Sequence, residues 1–98
     1  MVVLGLQGEL DLASAPQFES EIENPEVAAC ATLVVDLDEL QFIDSTGLRL
    51  IFSASARAQE RGQQFAVTRG SEQVQRLLSI TRVDEHLRIV DSPLEMLA

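Results

Sequence analysis

Lysine, tryptophan and tyrosine are absent from this 98-residue chain, and cysteine and histidine occur once each, as Cys30 and His86. A single cysteine excludes an internal disulfide framework and a cysteine-rich zinc site, and it fits a reducing, cytoplasmic setting. A lone histidine beside Asp84 and Glu85 reads as a loop residue rather than a catalytic base. Basic residues are missing altogether between Met1 and Leu48, where ten acids stand. From Arg49 onward, seven arginines meet six acids. The first half therefore carries −10 and the second +1, which gives the net charge of −9. An acidic surface of this kind repels phosphate backbones and anionic lipid, so neither nucleic acid nor membrane is an expected partner. It suits a basic protein surface. Long apolar runs are also missing: none approaches the roughly 20 residues of a membrane span. Met1-Val2-Val3-Leu4 lacks the basic flank of a signal peptide. No Walker-type phosphate loop occurs, and Gly5-Leu6-Gln7-Gly8 is too short for a dinucleotide fingerprint. No Gly-x-Ser-x-Gly elbow is present. Asp36, Asp38 and Asp44 suggest a metal site only weakly, because Asp36 and Asp38 flank a strand end and a Mg²⁺ site normally wants further oxygen ligands fixed nearby. The expectation is a chain with no catalytic residues, no cofactor and no metal.

What is present suffices for one domain, taken as residues 1–98. Apolar residues make up 46% of the chain and aromatics 4%, so the core must be aliphatic. Val2, Leu4 and Leu6 alternate with Val3, Gly5 and Gln7, which is strand periodicity. Gly8-Glu9-Leu10-Asp11 reads as a turn. Ser14 with Gln17 three residues on reads as a capping box, and Pro16 sits harmlessly in the first helical turn. Phe18 and Ile22 then form a buried stripe, and Asn24-Pro25 weakens or ends that helix. The continuous run Thr32 to Leu37 predicts a central strand covered on both faces. Gln64 to Thr68 predicts a second central strand. Ser71 caps a helix bearing Val74, Leu77 and Leu78. Leu87 to Val90 reads as a short strand, and Ser92-Pro93 as the start of a short last helix with Leu94 and Leu97 facing in. Helices that follow strands imply a largely parallel sheet. The fold class is compact α/β, with a small mixed, mainly parallel four-stranded sheet.

The stretch Phe42-Ile43-Asp44-Ser45-Thr46-Gly47-Leu48 is the centre of the chain. It predicts a strand-end loop that delivers a hydroxyl to the start of a helix from Ser45 to Arg61. Asp, Ser and Thr cap helix N-termini because their oxygens accept bonds from unpaired backbone N–H groups. Leu48, Ile51, Phe52 and Ser55 recur at helical spacing, and Gly62 is a natural stop. On local physics alone this is an ordinary cap. A phosphoryl group on a hydroxyl here would also be tolerated, because the N–H groups and the dipole at a helix start favour negative charge. Gly47 would let another protein approach the backbone closely.

Together, Gly8-Glu9-Leu10-Asp11, the strand Leu33 to Leu37 and the Asp44-Ser45-Thr46-Gly47-Leu48 segment resemble the STAS domain family, in particular the bacterial anti-sigma-factor antagonists. The resemblance covers nearly the whole chain. It implies that Ser45, the hydroxyl immediately after Asp44, is a phosphoacceptor, with Thr46 as the competing position. The phosphate would come from an anti-sigma factor that is itself an ATP-dependent Ser/Thr kinase. A metal-dependent Ser/Thr phosphatase would remove it. The unphosphorylated protein would bind the anti-sigma factor, free a sigma factor and so regulate transcription indirectly. Asp11, Ser14, Asp44, Thr46, Gly47, Leu48 and Arg49 would line the docking surface. Asp44 would hold either the Ser45 hydroxyl or the helix cap. The family usually has another strand before the first one here and a longer final helix, so the chain reads as a trimmed or compact member. Arg49 stands where small residues are common. A monomer is expected, since no large apolar stripe is left over. Two other readings remain: a non-switching STAS subunit or scaffold of a transport ATPase or signalling complex, and a small hydrolase with Ser45 as nucleophile, for which no base is evident.

Overall fold

The computed structural model describes residues 1–97. Four strands form a sheet: β1 (Val2–Gly5), β3 (Thr32–Asp36), β5 (Gln64–Thr68) and β6 (Ile89–Val90), in the order β1-β3-β5-β6. The three pairings are parallel, so the sheet is parallel throughout its described strands rather than mixed. Two further strands, β2 (Gly8–Leu10) and β4 (Leu40–Ile43), pair with each other as a separate parallel ribbon. The segment read as a turn at Gly8-Glu9-Leu10-Asp11 is thus mostly strand. Its turn character survives at its two ends: Gly8 takes a positive φ of 74° and starts the ribbon after β1 ends, and Asp11 bends the chain out of the strand.

Helices α1 (Ala15–Ile22), α3 (Ser45–Glu60) and α4 (Glu72–Ile80) supply apolar stripes, and a short helix α2 (Pro25–Ala29) precedes β3. As expected, α1 ends just before Asn24-Pro25, and a second short helix begins there. The Asn24 side chain accepts from the Glu26 N–H at 2.9 Å, and Pro25 occupies the first turn of α2, where its missing donor is harmless. Ser71 caps α4 as expected, accepting from the Val74 N–H at 3.2 Å.

The core has two compartments, one on each face of the sheet. Leu33, Val35 and Val67 join the cluster under the helices, with Phe18, Ile22, Ile51, Val74 and Leu78. Val34, Ala66, Val90 and Met96 form a smaller cluster on the opposite face. This is why β3 is apolar at three consecutive positions: Leu33, Val34 and Val35 alternate between two dry faces and are all buried.

Two stripes differ from expectation. The buried face of α3 is Gly47, Leu48, Ile51, Ala54 and Ala58. Small residues at three of these positions let the helix lie close to the sheet. Phe52 is instead 47% exposed, with its ring set edge-on to His86, and Ser55 is half-buried. The last element, Pro93–Leu97, is a 3₁₀ helix. With three residues per turn, Met96 shares a face with Pro93 and fills the smaller core, while Leu94 and Leu97 face outward.

Candidate functional site

The β2–β4 ribbon builds the site. Its register places Leu10 beside Ile43. The two parallel strands therefore release their next residues, Asp11 and Asp44, side by side at one end. Asp11 opens the loop into α1, and Asp44 opens α3 directly.

Asp44 is extended (φ −115°, ψ −170°), and its Oδ1 accepts from the Gly47 N–H at 2.9 Å. Its carbonyl accepts from the Leu48 N–H at 3.0 Å. Of the two roles left open for this carboxylate, the helix cap is the one it takes. Ser45 is the first residue of α3 and is exposed; Thr46 is half-buried. On access alone, Ser45 is the better-placed hydroxyl.

Gly47 is buried, and its smallness serves the chain itself rather than a visitor. A Cβ at this position would collide with the Leu10 carbonyl oxygen and would lie 2.7 Å from Cγ1 of Ile43. The first turn of α3 is therefore pressed against the ribbon. Leu48 is 6% exposed and belongs to the main core. These two residues fix the site from below and offer a partner no surface. Arg49 returns to the exposed side of the helix.

Across the ribbon, Asp11 and Ser14 hold each other. The Ser14 N–H donates to Asp11 Oδ1 at 3.1 Å, and the Asp11 N–H donates to Ser14 Oγ at 3.0 Å. The Ser14 hydroxyl donates onward to the Glu9 carbonyl at 3.0 Å. The expected capping box with Gln17 does not form, because the Ser14 oxygen is turned back into the loop and makes no cap bond to α1. Both residues are half-buried. The exchange presents Leu12 at the tip, 76% exposed. Sequence reasoning passed over Leu12, although a large apolar residue in a loop between two polar anchors is a readable sign of a contact residue.

The site carries Glu9, Asp11 and Asp44, and none of them is in an ion pair among the described residues. The ion pairs lie elsewhere. Glu23 takes Arg57 at 2.7 Å and Arg61 at 3.1 Å, tying α1 to α3. Asp91 takes Arg69, and its hydrogen bond and charge hold that guanidinium above its ordinary range. The site is therefore an acidic, partly apolar platform with one accessible hydroxyl on a helix start. That arrangement suits docking of a protein and addition of a small anionic group to the hydroxyl.

The sequence profile of the STAS domain matches residues 1–95. The chain belongs to the STAS domain family. This STAS domain is 29% identical over 89 residues to the anti-sigma-B factor antagonist of Listeria monocytogenes, covering 91% of the chain and 78% of that protein. It is 30% identical over 91 residues to the anti-sigma-F factor antagonist RsfB of Mycobacterium tuberculosis, covering 93% and 68% respectively. Among solved structures, an anti-sigma factor antagonist from Mycobacterium paratuberculosis superposes with a TM-score of 0.83 at 23% identity, over 97% of this chain and 80% of the other. These relatives are regulators by name, and the fold read from the sequence is theirs. Among the described residues of this STAS domain, no helix is long and apolar enough to cross a membrane.

Proposed function

We propose that this STAS domain is a cytoplasmic anti-sigma-factor antagonist whose docking is switched at Ser45. Its partner is an anti-sigma factor with ATP-dependent Ser/Thr kinase activity, and a metal-dependent Ser/Thr phosphatase resets it. The observation that carries this reading is the placement of Ser45. It is an exposed hydroxyl on the first residue of α3, next to the capping Asp44 and beside the Asp11–Ser14 loop. The names of the relatives supply the class of partner.

The physical sequence is short. In the unmodified state the partner covers the helix start, with Leu12 as an apolar anchor and the carboxylates meeting a basic rim. In the transfer, the Ser45 oxygen forms a bond to the γ-phosphorus of ATP, the bond from that phosphorus to the bridging oxygen breaks, and ADP leaves. The hydroxyl proton passes to a base on the kinase. The phosphate adds about −1.5 to −2 charge at pH 7. On a face that already holds Asp11 and Asp44, it repels and crowds the partner. The fold beneath is spared, because a helix start accommodates an anion. Asp44 stays on its cap throughout.

The test is intact-mass analysis of the purified chain after incubation with a cognate anti-sigma factor kinase and ATP. Gain of one phosphate by wild type and Thr46→Ala, and none by Ser45→Ala, is the expected pattern. Phosphorylation of Ser45→Ala to the wild-type extent would overturn the site assignment. Recovery of a transport ATPase rather than an anti-sigma factor with the native protein would turn the reading to a non-switching subunit.

A further inference from the structure

We infer that Arg49 is the internal counter-ion for a phosphate on Ser45, a role that rests on Ser45 being the acceptor. Ser45 and Arg49 are four residues apart on α3, and both are exposed. On a helix, residues at that spacing lie one above the other on the same face. Long helical side chains lean toward the N-terminus, so an arginine at the fifth position reaches back over the first. The order is also the favourable one, anion before cation along the helix.

Three observations single out Arg49 from the other arginines. It is the first cation in the chain, after ten carboxylates. It makes no ion pair among the described residues, whereas Arg57, Arg61 and Arg69 are already engaged by Glu23 and Asp91, and the other unpaired arginines, Arg76, Arg82 and Arg88, lie outside α3. The nearest carboxylate in sequence, Asp44, is turned to the Gly47 N–H. The guanidinium is thus uncommitted while Ser45 carries only a hydroxyl. A phosphate gives it a planar, two-point partner, which a guanidinium fits better than an ammonium does.

The consequence is a sharper switch. Phosphorylation adds negative charge to the docking face and, in the same step, folds away the nearest cation. The phosphate is held along the surface of α3 instead of waving free, and it is less available to a phosphatase.

The experiment uses the full chain with phosphoserine installed at position 45 during translation, so that it does not depend on any kinase. Failure of a kinase to modify Ser45 would then undo the proposed function and leave this measurement intact. The phosphate is titrated by phosphorus NMR in wild type, Arg49→Gln, Arg49→Lys and, as an exposed control on another helix, Arg76→Gln. Asp11 and Asp44, the carboxylates sharing this end of the ribbon, are present in all four proteins. The second phosphate pKa should be higher in Arg49→Gln than in wild type by about 0.2–0.4 units at low salt, as expected for one helical ion pair gaining one charge. The difference should collapse in about 1 M salt, where the screening length is near 3 Å. Arg49→Lys should recover part of it, and the Arg49 Nε–H resonance should move on phosphorylation. Identical titrations for wild type and Arg49→Gln, or an equal shift in Arg76→Gln, would overturn the pairing.

Discussion

Gly47 and the carbonyl of Leu10 are packed so closely that no side chain fits between them. The start of α3 and the end of β2 are in backbone contact, and the exposed hydroxyl of Ser45 sits two residues from that contact. Gly47→Ala should therefore act on stability rather than on chemistry. The obstructing atom is backbone and has no rotamer to change, so the helix must shift. A loss of about 3 kcal/mol is expected, the upper end for overpacking. It should appear as a lower urea midpoint with an unchanged slope.

Asp44 and Ser45 should separate cleanly by the same measurement. Asp44→Ala removes the acceptor for the Gly47 N–H and should cost about 1 kcal/mol. Asp44→Ser, which keeps a capping oxygen, should recover most of it. Ser45→Ala touches an exposed side chain and should stay within about 0.5 kcal/mol of wild type. If Ser45→Ala were the more destabilising of the two, Ser45 would have a structural role and its part in docking would need reassessment.

Thr68 is the one buried polar residue among those described. Its hydroxyl accepts from the Leu37 N–H at 2.8 Å and donates to Asp36 Oδ1 at 3.1 Å, locking the end of β3 to β5 just before the chain turns into β4. Thr68→Val keeps the shape but leaves that N–H without an acceptor. The expected loss is about 1–3 kcal/mol. Thr68→Ser should restore most of the stability, and amide exchange at Leu37 should report the difference directly.

The sequence carried the sheet well and the ribbon poorly, for physical reasons. β3 announced itself because burial on both faces demands consecutive apolar residues. α1 and α4 did so because Phe18/Ile22 and Val74/Leu78 repeat at helical spacing. β2 and β4 are three and four residues long. Glycine at one end of β2 and an exposed Phe42 in β4 blur any alternation. Their pairing is a long-range event that no local pattern records. The same loss hid the meaning of Gly47, whose neighbour in space is 37 positions earlier in the chain. Ser14 shows the opposite failure. The local pattern for a capping box is present, but the Asp11 N–H and the Glu9 carbonyl outcompete the helix start for its hydroxyl. Period alone points Phe52 inward, but the small residues Ala54 and Ala58 take that face instead. At the site, the Asp44 cap and the position of Ser45 at the helix start were legible because capping chemistry is local. Leu12 was not, since its importance comes from the exposure that the Asp11–Ser14 exchange imposes.

The side-by-side exit of Asp11 and Asp44 has a consequence for how such domains diversify. Their spacing is set by main-chain bonds between β2 and β4, which any residue but proline can make. If the proposed docking face is right, substitutions at 9, 12 or 49 change which protein is recognised without altering the frame on which the recognition is displayed. On the proposed reading, duplicated copies within one cell would drift apart in partner choice this way, each keeping Ser45 at the helix start while ceasing to cross-talk.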